Sequence, residues 1–419
     1  MNQTRLTNRF AFQQILHWAV IGLMIPILVL MFQSKGLNLA EVGMVMAVWV
    51  GSTALLELPF GSVADYVGRK KSYMFSLGLT MLGTLVMLGA SNFAMVLLAA
   101  SLLGAARAVY SGTLDAWFYD AFQAAQGGRS YHSAVAKINI MVTIGLALGS
   151  LLGGWLPSYT KLHLDWFQSI YDANLLVILA ASVVLYAATH FLIPNELSHN
   201  HQSADSNVAS NLIHTGKQAL GICLNHQVLK RVLQTTLVFG MALSGVENYW
   251  QPHMSGLMVN LDFGTQAFGV VSALYFLMAA VASWLSVIAL NWFQGSHRML
   301  LLVSRTCAGA ILLCMALITH FTGFVIAYLL FFFLFTLGEN SAAVLLQDNT
   351  PSQYRSTVLS ISSLVVTLGG MMASLVLGYL AEHCGIGVSW AIVAVVLMLS
   401  SWLFALIPER VATCELESS

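Results

Sequence analysis

Residues 61–72 read GSVADYVGRKKS and lie between two long apolar runs. They put four charges into twelve positions of a chain in which only 8% of residues are charged. Soluble domains are about a quarter charged. Here 58% of the 419 residues are hydrophobic and the mean hydropathy is +0.79. Such a chain cannot cover itself with a water-compatible surface, so its solvent is a lipid bilayer. The cluster at 61–72 is then a polar connection between two membrane-crossing segments.

A crossing helix needs roughly 20 mostly apolar residues. Twelve such segments are predicted, near 10–32, 42–64, 72–90, 93–120, 132–156, 171–193, 231–254, 264–290, 299–319, 321–347, 356–382 and 388–408. The fold class is therefore all-α and integral to the membrane, in two six-helix bundles over 1–194 and 231–419. The segment 195–230 between them is polar and rich in His, Asn and Ser, and reads as a cytoplasmic linker with a short surface helix near 212–224. The first apolar run has basic residues before it and no small-residue cleavage site, which predicts a retained span rather than a signal peptide. With the N-terminus in the cytoplasm, fourteen of the seventeen Lys and Arg residues fall at or near that side, Arg305 among them. Lys35 and Lys161 fall outside and Arg107 lies within a span, a bias that sets the orientation. An even span count returns the C-terminus to the cytoplasm. The localisation this predicts is a multi-pass protein of the cell membrane, a bacterial inner membrane.

The two six-span segments also resemble each other. YHSAVAKINIMVTIGLALGSLLGGWL from Tyr131 aligns, with one gap, to YRSTVLSISSLVVTLGGMMASLVLGYL from Tyr354. Span five then corresponds to span eleven, as two parallel repeats require.

Other compositional features bound the function. Net charge is zero, so no nucleic-acid partner is indicated. The five cysteines, Cys223, Cys307, Cys314, Cys384 and Cys414, lack metal spacing and no disulfide is expected. H-E-x-x-H, G-x-S-x-G and phosphate-binding-loop patterns are absent, so the sequence indicates no enzyme, no metal and no cofactor, and transport must run on a gradient.

GSVADYVGRKK resembles the signature loop of the major facilitator superfamily, Gly-x-x-x-Asp-x-x-Gly-Arg-Lys/Arg between spans two and three, through Gly61, Asp65, Gly68, Arg69 and Lys70. Arg107 is similar to the buried arginine of that family's second motif, with the following glycine one position late at Gly112. IGLALGSLLGG resembles the antiporter motif through Gly145, Gly149, Gly153 and Gly154, with Ser150 in place of proline. Together with SGTLDAWFYDAF, these stretches look most like drug-efflux, proton-antiporting members. The resemblance implies alternating access between two six-helix halves, a small-molecule substrate, protons as coupling ion and a monomer in the bilayer. It also implies a cytoplasmic cluster of Asp65, Arg69, Asp120 and Arg355 that latches the halves, with Gly61 letting helices two and eleven approach. The glycine stripe serves either close helix packing or a leak-tight antiporter contact.

Five charges lie inside predicted spans: Glu57, Arg107, Asp115, Glu247 and Glu339. Each costs about 2.5–3.5 kcal/mol at mid-bilayer even on the lenient insertion scale, so function is the default explanation. A carboxylate taken out of water has its charged form disfavoured, the requirement for carrying a proton. Asp115 is the first candidate carrier, followed by Glu57 and Glu339, each with a structural ion pair as the alternative. Glu247 is a candidate for cation recognition, and Arg107 either neutralises an acid or receives an anionic group. His17 is read as a hydrogen-bonded core residue, with a proton-linked role as the alternative. Trp117, Tyr249 and Trp250 are candidates for the cavity wall. The leading function is proton-coupled export of a small amphipathic or cationic compound. The alternatives are an importer or symporter, or a dedicated exporter of a specific, anionic metabolite.

Overall fold

The structure is a computed structural model that describes residues 2–159, 169–194 and 208–407. Among these it is almost wholly helical, with no strand. The N-terminal set comprises α1 (Gln3–Gly22), α2 (Leu28–Ser34), α3 (Leu39–Val67), α4 (Arg69–Leu88), α5 (Phe93–Tyr110), α6 (Thr113–Ala124), α7 (Tyr131–Tyr159) and α8 (Asp172–Leu192). After α9 (Val208–Asn225) come α10 (Gln227–Glu247), α11 (Trp250–Leu257), α12 (Gln266–Trp292), α13 (His297–Leu317) and α14 (Phe321–Leu337). The chain closes with α15 (Glu339–Asp348), α16 (Arg355–Cys384) and α17 (Ile386–Ala405). Eleven segments among the described residues are long and apolar enough to cross a membrane. The α10–α11 segment occupies the place of predicted span seven, packed on α16 and α17.

Local chemistry sets the helix ends. Asn38 accepts from the Glu41 N–H while Glu41 returns a bond to the Asn38 N–H, a reciprocal cap that starts α3. Asn92 caps α5 by accepting from the Met95 N–H at 3.0 Å. The polar connection expected over 61–72 is far tighter than a loop. α3 runs through Val67, α4 starts at Arg69, and the reversal is Gly68 alone, at φ +103°. Only glycine adopts that conformation without strain. The surface helix expected at 212–224 runs from Val208 to Asn225. Its Ala219 and Cys223 pack into an apolar cluster with Leu229, Leu301, Val358 and Phe404. α10 begins at Gln227, within the stretch expected as linker. Residues 195–207 of the linker lie outside the described residues.

Four predicted spans are not continuous. Span one breaks after Gly22 into a short 3-10 turn, Ile25–Ile27, that contains Pro26. Span four breaks at Ser111 and Gly112, the latter at φ +69°. Span seven breaks at Asn248 and Tyr249, and span ten at Gly338. Spans one, four, seven and ten thus share one construction.

α1 packs on α7, and α10 on α16, within their own sets; α3 meets α16 and α7 meets α12 across the two sets. Among the described residues, hydrogen bonds that join the sets lie at the end remote from Gly68. There Glu382 Oε2 accepts from the Leu39 N–H at 2.8 Å, and Ser158 meets Thr265 and Gln266 at 2.9 and 2.7 Å. Gln251 reaches the broken part of span one, accepting from the Val29 N–H and donating to the Ile25 carbonyl. Among the described residues, the two sets are therefore fastened at that end.

Candidate functional site

The breaks are where the charges gather. Arg107 lies in the last turn of α5 and is exposed, although Ala106, Ala108 and Val109 beside it are buried. One turn on, the Ser111 hydroxyl donates to Glu57 Oε1 at 2.6 Å, tying α3 to the unwound residues of span four. Asp115 follows in the first turn of α6. It sits on that helix's exposed face with Tyr119, whose ring meets Tyr131 of α7 edge-on at 5.1 Å.

Glu247 is the last residue of α10 and is exposed between buried neighbours on both sides, Gly245 and Val246 before it and Asn248 to Trp250 after it. The Tyr275 hydroxyl of α12 donates to its Oε1 at 3.1 Å. Arg107 and Glu247 are thus exposed charges at the ends of α5 and α10, one in each set, each beside a helix break. Tyr275 packs on the buried aromatic core, edge-on to Phe332 at 4.5 Å, which in turn meets Tyr328 at 4.9 Å.

Glu339 opens α15 directly after the Gly338 break and pairs with Arg305. Arg305, counted above among the charges at or near the cytoplasmic side, is a buried ion-pair partner rather than a solvated charge. It lies nine residues into α13, about 12 Å from the helix end, and is 5% exposed. Its guanidinium rests against Phe239 and Phe335, 4.0 and 4.5 Å from the ring centroids. Depth within an apolar run was the signal that the orientation count overrode.

At the Gly68 end, Arg69 Nη1 donates to Asp120 at 2.5 Å, joining α4 to α6 within the N-terminal set. Lys70 is buried and donates to the His190 carbonyl at 3.0 Å. The side chains of Gly61 and Asp65 fall outside the described residues, and Arg355 is exposed at the start of α16. Of the four-residue latch expected here, the described contact is therefore the Arg69–Asp120 pair.

The glycine stripe divides by partner. Cβ atoms at Gly145, Gly149 and Gly153 would meet the Ile15, Ala19 and Leu23 carbonyls of span one at 2.5, 2.2 and 2.2 Å. A Cβ at Gly154 would instead meet Gly269 of α12, across the sets, at 2.5 Å from its nitrogen. Three of the glycines seat one helix on its neighbour, and the fourth brings the two sets together.

The aromatic candidates and His17 lie in cores rather than on the cavity wall. Trp117 packs with Phe10, and Trp250 with Phe268 and Tyr328. The Tyr249 hydroxyl donates to the Ser374 carbonyl at 3.2 Å. His17 is buried with its Nδ1 2.7 Å from the Tyr73 hydroxyl, which also accepts from Gln13. Large aromatic faces are buried by the helix packing that their area rewards.

Residues 10–374 match the family model of the Major Facilitator Superfamily. The chain belongs to that superfamily. It is similar to the uncharacterized MFS-type transporter YxaM of Bacillus subtilis, at 22% identity, with 93% of this chain and 92% of that protein covered. A mutant of the nucleoside transporter NupG superposes with a TM-score of 0.80 at 15% identity, covering 96% of this chain and 99% of that one. An inward-facing, unoccupied bacterial homologue of the human lysosomal transporter Spinster superposes with a TM-score of 0.74 at 13% identity, covering 96% of each chain. As a superfamily member the chain is a secondary transporter working by alternating access, not an enzyme, and it passes the cell membrane many times. Broken helices with charged residues at the breaks are where such transporters hold substrate and coupling ion.

Proposed function

We propose that this chain exports a small amphipathic or cationic compound in exchange for protons. Two six-span units, residues 1–194 and 231–419 with α10–α11 as the seventh span, rock about a central cavity, joined by the 195–230 linker. Both termini lie in the cytoplasm, so the fastened end faces outward and the described conformation receives substrate from inside. The observation that carries the reading is the exposure of Arg107 and Glu247 beside the breaks in spans four and seven, one in each set, with Glu57 and Asp115 also beside the break in span four. An exposed carboxylate that accepts from the Tyr275 hydroxyl suits a cation with an apolar body, through charge and the partly exposed Tyr275 ring. Asp115, exposed at the span-four break, is the leading proton carrier, with Glu57 and Glu339 as further carriers. The exposed Arg107 favours one alternative, a dedicated transporter of a metabolite with an anionic group.

The test is dye transport in inverted membrane vesicles with a proton gradient imposed and then collapsed. Wild type should accumulate lipophilic cations only while the gradient stands, and Asp115→Asn should abolish this at unchanged protein level. Full activity in Asp115→Asn removes that residue from the pathway. Transport of no cation, with gradient-driven movement of organic anions that Arg107→Ala abolishes, overturns the export of cations in favour of the alternative.

A further inference from the structure

The break in span one has two causes, one permanent and one conditional. Pro26 lacks an N–H, and inside a helix its ring crowds the carbonyl four residues before it, here that of Gly22. That cause is present in every conformation. The second comes from the other set. Gln251, in the first turn of α11, is 2% exposed and meets span one with both ends of its amide. Its Oε1 accepts from the Val29 N–H at 3.0 Å, and its Nε2 donates to the Ile25 carbonyl. Val29 follows Ile25 by four positions, so these two groups are the ones that bond each other in an uninterrupted α-helix. Between them Ile27, at φ −120° and ψ −3°, leaves the helical path. Ile27 and Val29 are 0% and 1% exposed, so water has little access to replace a lost partner. The broken part of span seven is itself anchored, since Asn248 and Tyr249 both donate to Ser374 of α16.

We infer that Gln251 is a positioning residue for alternating access. It holds span one broken while the end remote from Gly68 is closed, and its withdrawal lets span one re-form a continuous helix when that end opens. As the two sets part there, Gln251 leaves with α11, and the Val29 N–H and Ile25 carbonyl lose this partner together. A backbone group left unpaired in an apolar setting is costly, and for each of the two the other is the partner within reach. The open form thus regains a hydrogen bond inside span one in place of the two that joined the sets. Opening becomes a change of helix as well as of interface. The chemistry of the side chain suits this role, because an amide carries a donor beside an acceptor, as the peptide unit does, whereas a carboxylate has no donor and an ammonium no acceptor. The inference needs neither a transport direction nor a coupling ion, so it stands apart from the export proposed above.

The experiment measures distances between paired spin labels in the purified full-length protein in lipid nanodiscs, with the five native cysteines replaced by alanine. Ser91→Cys with Thr322→Cys, both exposed at the remote end, reports the separation of the sets. Phe12→Cys with Gln33→Cys, exposed on α1 and α2, reports the shape of span one. Gln251→Met keeps the length of the side chain and removes both hydrogen bonds. It should raise the ratio of open to closed protein about fivefold or more, the low end of what two lost hydrogen bonds supply. A second Phe12–Gln33 distance should grow in the same proportion. Pro26→Ala leaves the Gln251 contacts in place and eases the continuous helix, so it should shift both pairs in the same direction. Opening in Gln251→Met with no second Phe12–Gln33 distance would reduce Gln251 to a fastening and overturn the inference. No opening in Gln251→Met, or wild-type distances for both pairs in Pro26→Ala, would overturn it equally. If Gln251→Met does not fold, the Pro26→Ala result decides alone.

Discussion

Gly154→Ala tests how the two sets of helices are held together. The new methyl would stand 2.5 Å from the Gly269 nitrogen and 2.6 Å from its Cα, both backbone atoms that no rotamer change can move aside. Overpacking of this kind costs about 1–3 kcal/mol. The cost falls only on conformations in which α7 touches α12, so it shifts the balance towards the state open at that end by roughly 5–150-fold. Gly149→Ala is the matched control. Its methyl would meet the Ala19 carbonyl at 2.2 Å inside the N-terminal set, a clash present in every state. The assay is labelling of Ser158→Cys by a membrane-impermeant maleimide, with the exposed Cys307, Cys314 and Cys384 replaced by serine. Ser158 is bonded across the sets to Thr265 and Gln266, so it reacts when the end opens. Gly154→Ala should raise the labelling rate with little change in thermal stability, whereas Gly149→Ala should lower stability without a comparable rise. Unchanged labelling in Gly154→Ala, or equal rises in both variants, would refute the division of the stripe.

Three further outcomes follow from the same geometry. Glu382→Ala removes the acceptor from the Leu39 N–H, a cap worth about 0.5–2 kcal/mol, and should raise labelling at Ser158→Cys; a rate equal to wild type rejects Glu382 as a fastening. Lys35 and Asp172 form an ion pair at 3.6 Å with both side chains 3% exposed. Asp172→Asn should cost about 3–5 kcal/mol by stranding a buried charge, read in thermal unfolding, and adding Lys35→Met should restore much of it. The Arg69–Asp120 pair is partly exposed, at 26% and 57%, so Asp120→Asn should cost at most about 1 kcal/mol. A fall in transport with unchanged unfolding assigns the pair to the gate, and no change in either removes it.

Much of the fold was legible because hydropathy is a sum over residues. Bilayer-length apolar runs, the polar connection over 61–72 and the resemblance of 131–156 to 354–380 needed no knowledge of neighbours, whereas the one-residue reversal at Gly68 came from the structure. Charge depth was also readable, and it put Glu57, Arg107, Asp115, Glu247 and Glu339 within spans. Arg305 shows where such counting fails. A cation nine residues into a helix can be an end anchor or a buried partner, and only the position of Glu339, thirty-four residues on, separates the two. The aromatic residues fail for a related reason, since Trp117 and Trp250 are equally at home on a cavity wall and in a core.

By itself, then, the sequence determined the solvent, the helical class, the superfamily resemblance and the short list of charges that had to be explained. These follow from local composition and from groups too costly to bury without purpose. Tertiary structure decided which helices break, which glycines seat a neighbour and which join the two sets, and that Ser111 holds Glu57 while Arg305 holds Glu339. Each of those depends on a partner far away in the chain. A helix whose neighbours satisfy its unwound backbone can break at Gly112 or Gly338, and the same glycine in an isolated span is tolerated unbroken.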